Sequence, residues 1–212
     1  MDDTGTWALI HKERAAMADT LAGLAPGQWA AASLVSGWSV QVTAAHIVNG
    51  AEQTPMHFMG RMAANAFRFN RAMDRDARRT GTLAPTEIVE RLRARTTTTN
   101  HPPAPVMAML GEIVVHGEDI RRPLGLDGDT SPDAIAACLE MYSKSSFPVG
   151  GKKRIDGLRV VADDIDWSHG TGPDVTGPAL SLVMAMTGRP AGLDRLSGDG
   201  LATLRGRVVG TG

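Results

Sequence analysis

PPAPVMAMLGEIVVHGEDIRRPLG, residues 102–125, carries Val106, Met109, Leu110, Ile113 and Ile120 at helical spacing. Pro102, Pro103 and Pro105 mark the entrance to this helix, and Pro123 with Gly125 its stop, because proline lacks the N–H that would continue the ladder. The same stretch sets Glu112 four residues before His116. Residues four apart lie on one helix face, so a carboxylate oxygen and an imidazole nitrogen can aim at one point beside or within a helical seam. A carboxylate buried there is costly unless its charge is compensated, and a divalent cation would compensate it.

Working outward, three earlier helices are expected. The first runs from about Trp7 to Leu24 with apolar Leu9, Ala16, Leu21 and Leu24, and Pro26 and Gly27 punctuate it. Ser39 can cap the next by accepting from its free N–H groups; this helix begins near Val40, passes through His46 and reaches Pro55, or continues past it with a kink. A third starts after Pro85 and ends in the Thr96–Thr99 tract, whose β-branched side chains weaken a helix. Four helices in this order read as a bundle. Between them, residues 61–95 hold nine Arg against Asp74, Asp76, Glu87 and Glu90. That stretch is either a solvated outer face and connector or an anion-attracting rim.

The chain changes texture after about residue 130. Ser131-Pro132 opens a helix through Ile135, Leu139 and Tyr142; Leu158–Ala162 reads as a strand, with a short one at Asp166–Ser168. Thr176–Met186 reads as another helix, closed by Gly188 and Pro190. The expected fold class is therefore mainly α: a four-helix bundle over residues 1–129 and a small mixed α/β segment over 130–212, packed on the bundle.

Composition bounds the function. The 212 residues are 42% hydrophobic and 21% charged, enough for a sizeable core. Aromatics are 4% against 11 Met, which suits packed helices better than a β-sandwich. A formal net charge of -1 gives no bulk electrostatic case for nucleic acid or membrane. Cys138 is the single cysteine, so neither an internal disulfide nor a Cys-rich zinc site can form; it reads as packing. No basic start leads into an apolar signal segment and no long apolar run follows, so a cytoplasmic protein is expected. An apolar bundle surface could support a homodimer.

His46 supplies a third donor, flanked by Ala44, Ala45, Ile47 and Val48. Two His and one Glu suit a catalytic zinc site with one or two positions left for water or substrate. Zinc is the first choice, and nickel, iron or manganese could use the same donors. The competing reading is a helix-face Glu112–His116 hydrogen bond with an unrelated His46. His57 lies eleven residues on, roughly 16 Å along a helix axis, too far to share an ion with His46 unless the helix breaks. Glu52 and Asp119 are either partners that orient the imidazoles or ordinary surface carboxylates. Trp38 is expected as a core plug fixing the helix that presents His46, with direct stacking on substrate the alternative. Gly150-Gly151 and Gly198-Asp199-Gly200 lack a phosphate-loop fingerprint and read as turns. Lys152, Lys153 and Arg154 read as a solvated loop, and Asp163 with Asp164 point apart on a strand end.

Taken in order, Gly37-Trp38-Ser39-Val40, Ala44-Ala45-His46 and Gly111-Glu112-Ile113-Val114-Val115-His116-Gly117, then Ile165-Asp166-Trp167-Ser168-His169-Gly170, Gly177-Pro178 and Gly188-Arg189-Pro190, resemble the mycothiol-dependent maleylpyruvate isomerase family of the DinB-like bundle superfamily. The likeness covers almost the whole chain. It implies a divalent metal held by His46, Glu112 and His116. It also implies mycothiol, the small thiol of actinobacteria, as cofactor. In an isomerase, thiolate addition to a conjugated cis alkene makes a single bond; rotation and elimination then release the trans isomer. In a transferase, addition or displacement stops at a thioether. The partners implied are a small-molecule thiol and a small electrophile. Arg159, Arg189 and His169 are the candidates for cofactor contact in the C-terminal segment, against capping or salt-bridge roles. That segment is short for the full isomerase arrangement, which tells against maleylpyruvate itself. The rival readings are a non-catalytic metal-binding or sensing protein and a structural interaction bundle.

Overall fold

The computed structural model describes residues 2–64, 68–147 and 149–210, apart from the side chain of Phe69. The helices, in chain order, are α1 (Asp3–Ala22), α2 (Pro26–Ala30), α3 (Val40–Glu52), α4 (Pro55–Ala64), α5 (Phe69–Thr80), α6 (Pro85–Arg93) and α7 (Val106–Arg121), followed by α8 (Pro132–Lys144), α9 (Gly151–Ile155), α10 (Ala179–Met186) and α11 (Leu201–Val209). The strands are β1 (Arg159–Ala162), β2 (Ser168–His169) and β3 (Asp174–Gly177). Contacts divide the chain into two compact units, Met1–Thr130 and Ser131–Gly212. No helix among the described residues is long and apolar enough to cross a membrane.

In the first unit, α1 and α3 each pack on both α6 and α7, giving the expected mainly α bundle. Its apolar core is tightly buried: Ile10, Met17, Val40, Val48, Ile88, Leu92, Leu110 and Ile120 have no exposed surface. Burying such side chains contributes about 1.5–3 kcal/mol each, and this burial rather than helix propensity sustains the bundle. Helix ends follow local chemistry. The Ser39 hydroxyl accepts from Val42 N–H at 3.3 Å and starts α3 as expected. Beyond α7, a short 3₁₀ turn over Arg122–Leu124 leads to Gly125 at φ 63°, a left-handed position natural to glycine.

Several expected boundaries move. The inward face of α1 is Thr6, Ile10, Glu13, Arg14, Met17 and Leu21, not the row through Leu9, Ala16 and Leu24. Helix α3 ends at Glu52, and Pro55 opens a separate helix rather than a kinked continuation. The arginine-rich stretch, of which residues 65–67 lie outside the described residues, forms the further helix α5 on the flank of α3. Its arginines are extensively paired: Arg61 and Arg79 with Asp76, Arg78 with Asp74, Arg91 and Arg95 with Glu52, and Arg93 with Asp19. The anion-attracting rim gives way to an ion-paired outer layer.

In the second unit, β1 pairs antiparallel with β2 and parallel with β3, giving the order β2-β1-β3. Val160 and Ala162 of β1 and Val175 and Gly177 of β3 point to the buried side, where α10 covers β1. Residues 174–177 are strand, not the start of the helix expected from Thr176, because they complete the parallel ladder Arg159↔Asp174 to Ala162↔Gly177. Helix α10 then starts one residue after Pro178, where Asp164 Oδ1 accepts from Ala179 N–H at 2.8 Å. Helix α8 opens at Ser131-Pro132 as expected, with the Ser131 hydroxyl accepting from Ala134 N–H.

Candidate metal centre

Helix α3 carries His46 and helix α7 carries Glu112 and His116. Because α3 packs on α7, the side chains meet across the seam. His46 Nε2 lies 3.0 Å from Glu112 Oε2, and His116 Nε2 lies 3.4 Å from the same oxygen. One ligand atom from each of the three residues falls within 4.8 Å of the others, and the two imidazole rings meet edge to face at 4.7 Å. In a tetrahedral zinc site with bonds of about 2.0–2.1 Å, neighbouring donors stand about 3.3 Å apart. The two measured separations bracket that spacing. Two imidazole nitrogens and one carboxylate oxygen thus fit a divalent ion, and the cluster could chelate one.

Each imidazole is held from behind. His116 Nδ1 lies 2.8 Å from Asp119 Oδ2. A carboxylate can only accept, so Nδ1 carries the hydrogen and Nε2 is free to face Glu112. Asp119 is completely buried, and its backbone carbonyl accepts from Leu34 N–H at 2.9 Å. It is therefore an orienting partner and not a surface carboxylate. Glu52 has no such role: its two oxygens receive Nε and Nη2 of Arg91 at 3.1 and 2.5 Å. His46 is braced by the Trp38 ring at 5.3 Å. Trp38 Nε1 donates to Asp74 Oδ1 at 2.8 Å, and Arg78 bonds both that oxygen and the Gly37 carbonyl. Trp38 is only half-buried; it acts as a pinned bracket rather than a core plug. The signal for Asp119 was its position three residues after His116 on one helix; nothing in the sequence linked Asp74 to Trp38.

Glu112 is not sealed in the core. Its side chain keeps 46% of its surface, against 14% and 13% for the two histidines. The centre therefore opens at the carboxylate. It faces a shallow recess with Ile47, Met109 and Ile113 among its apolar lining and Arg14 at its wall. Lost hydration opposes ionisation of Glu112, but hydrogen bonds and charge from His116 and His46 outweigh it and hold the carboxyl well below its usual range. For His116, burial disfavours the cation, yet the hydrogen bonds it donates to Asp119 and Glu112, with their charges, raise it to about 9.

These shifts set a pH dependence for the metal-free protein. A histidine raised above its unfolded value stabilises fully below about 6.5, and that contribution is lost as pH rises through about 9. The depressed Glu112 contributes above the ordinary carboxylate range and loses its share as acid protonates it. Chelator-treated wild type should thus lose more thermal stability between pH 6.5 and 9 than His116→Gln does; parallel profiles would contradict the linkage. A cation must displace the same proton, so metal uptake near neutrality should release it.

His57 sits on the exposed start of α4, outside the cluster. The three residues expected to contact a cofactor lie in the second unit. Arg159 pairs with Asp174 across β1 and β3, Arg189 donates to the Thr187 carbonyl, and the His169 ring stacks on Trp167 at 6.2 Å. Cys138 is buried on α8.

A family model for the mycothiol maleylpyruvate isomerase N-terminal domain matches residues 10–121, the span that contains all three converging side chains. Among solved structures, crystal structures of the mycothiol-dependent maleylpyruvate isomerase and of a histidine-to-alanine mutant of it match with TM-scores of 0.64. Each match covers 94% of this chain and 93% of the other at 14% sequence identity, a likeness of fold. No curated protein matches this chain.

Proposed function

Because the chain belongs to the mycothiol maleylpyruvate isomerase N-terminal domain family, we propose that it is a divalent-metal-dependent transferase or isomerase-like enzyme that uses mycothiol on a small electrophile. The observation that carries this reading is the convergence of His46 Nε2, His116 Nε2 and Glu112 Oε2 at the mouth of a recess. A bound divalent ion would supply Lewis-acid stabilisation of a thiolate or a substrate carbonyl at neutral pH, zinc being the metal best suited to the donor set.

The chain's own residues prepare that chemistry. Asp119 fixes the His116 tautomer and makes the imidazole a better donor. Trp38, tied to Asp74, holds the His46 ring in place. Glu112 contributes the negative charge and stays ionised across the physiological range. The apolar side chains Ile47, Met109 and Ile113 line part of the recess, and an apolar lining lowers the local dielectric and strengthens electrostatic contacts beside it. Arg159, Arg189 and His169 are the candidates for thiol contact in the second unit.

The test is a calorimetric titration of zinc-loaded protein with mycothiol, beside a turnover screen against electrophiles and conjugated cis acids. Saturable thiol binding that disappears with the metal, together with turnover of at least one compound, is the expected result. Tight metal binding with neither thiol affinity nor turnover would replace this reading with a non-catalytic metal-binding or sensing protein.

A further inference from the structure

Arg14 is the least expected side chain on the wall of the recess. It sits one turn after Ile10 and just before Met17, on the inward face of α1, and keeps only 3% of its surface. A guanidinium has five N–H donors in a planar fork. Here Nη1 spends its hydrogens on two main-chain carbonyls, Thr98 at 2.8 Å and Arg95 at 3.3 Å. The face of the group rests 5.7 Å from the Trp7 ring. Among the described residues no carboxylate pairs with it. A buried cation without a counter-ion is costly, and lost hydration alone lowers Arg14 to about 10. Among the described residues, the other buried arginine of this unit, Arg121, has the Glu118 carboxylate at 3.7 Å.

The remaining donors of Arg14 belong to a side chain that lines the same recess as His46, Glu112 and His116. The apolar side chains Ile47, Met109 and Ile113 that share this lining lower the local dielectric and lengthen the reach of the charge. We propose that Arg14 forms an anion subsite of this recess, so that the ligand bound at the centre carries a carboxylate or similar oxyanion beside its metal-binding atom. The proposal rests on the metal reading above and adds the substrate class to it. The missing counter-ion of Arg14 is then brought by the ligand, and the two backbone carbonyls fix the fork in readiness for it. A planar oxyanion matches that fork in two parallel hydrogen bonds, which a hydroxyl cannot.

Two thiols of similar size separate this role from simple packing. Cobalt-loaded protein is titrated with 3-mercaptopropionate and with 2-mercaptoethanol, each followed by the thiolate-to-cobalt absorption band. Wild type should bind the carboxylate thiol about tenfold or more tightly, and added salt should narrow that gap. In Arg14→Met, which keeps the stem, the preference should vanish while the mercaptoethanol affinity moves far less. Arg14→Lys should retain part of it. Equal affinities in wild type, or a preference preserved in Arg14→Met, would overturn the subsite. The salt series on wild type decides the matter even if the variants fold poorly, since a salt-independent ratio also overturns it. Failure of cobalt itself to bind shows in the metal's own absorption and strikes the metal reading first, and the subsite with it.

Discussion

Replacing His116 by alanine is expected to strip the protein of its metal. Ligands in a structural zinc site share roughly 10–16 kcal/mol of apparent binding energy, so one imidazole accounts for about two orders of magnitude in affinity or more. Elemental analysis after dialysis at micromolar free zinc should give about one ion per chain for wild type and close to none for His116→Ala. An unchanged ratio would mean that the 3.4 Å approach of His116 to Glu112 is only a hydrogen-bonded pair.

Leu110→Ala should produce the largest stability loss without touching the metal. Leu110 is completely buried on α7, two residues before Glu112 and facing the bundle. Removing it costs the transfer energy of the lost methyl groups plus the cavity they leave, about 2–5 kcal/mol. The urea midpoint should fall accordingly, with the slope of the transition preserved. The folded variant should still carry about one ion per chain, since none of the three donors is altered. A loss below about 1 kcal/mol would show that α7 can collapse onto the vacated space, and the tight packing that positions Glu112 and His116 would then be in doubt.

What the sequence made legible follows from where its patterns are simple. The apolar row of residues 106–121 and the prolines around it gave α7, and the i,i+4 relation of Glu112 and His116 followed from helix geometry alone. Ser39 announced the start of α3. The link from His46 to that pair could not come from spacing, since 66 residues separate His46 and Glu112; resemblance to a family supplied it, and packing of α3 on α7 realised it. Helix α1 was read half a face out of register because Glu13 and Arg14, both charged, stand on its inward side. Helix α5 escaped for the same reason: Ala72, Asp76 and Thr80 make its inner row, with a carboxylate where an apolar residue is normally sought. Strand β3 is four residues long with a glycine at its end, too short for alternation to speak. Misread positions thus concentrate where polar groups are buried on purpose or where a neighbour decides the conformation.

X-ray absorption at the zinc edge of stoichiometrically loaded protein tests the centre most directly. The expected spectrum shows about one ion per chain with nitrogen and oxygen neighbours at about 2.0–2.2 Å and the outer-shell scattering of two imidazoles. That imidazole signal should drop by half in His46→Ala under forced loading. A bound ion without histidine scattering, or a protein that takes up no zinc at all, would contradict the assignment of His46, Glu112 and His116 as the metal's ligands.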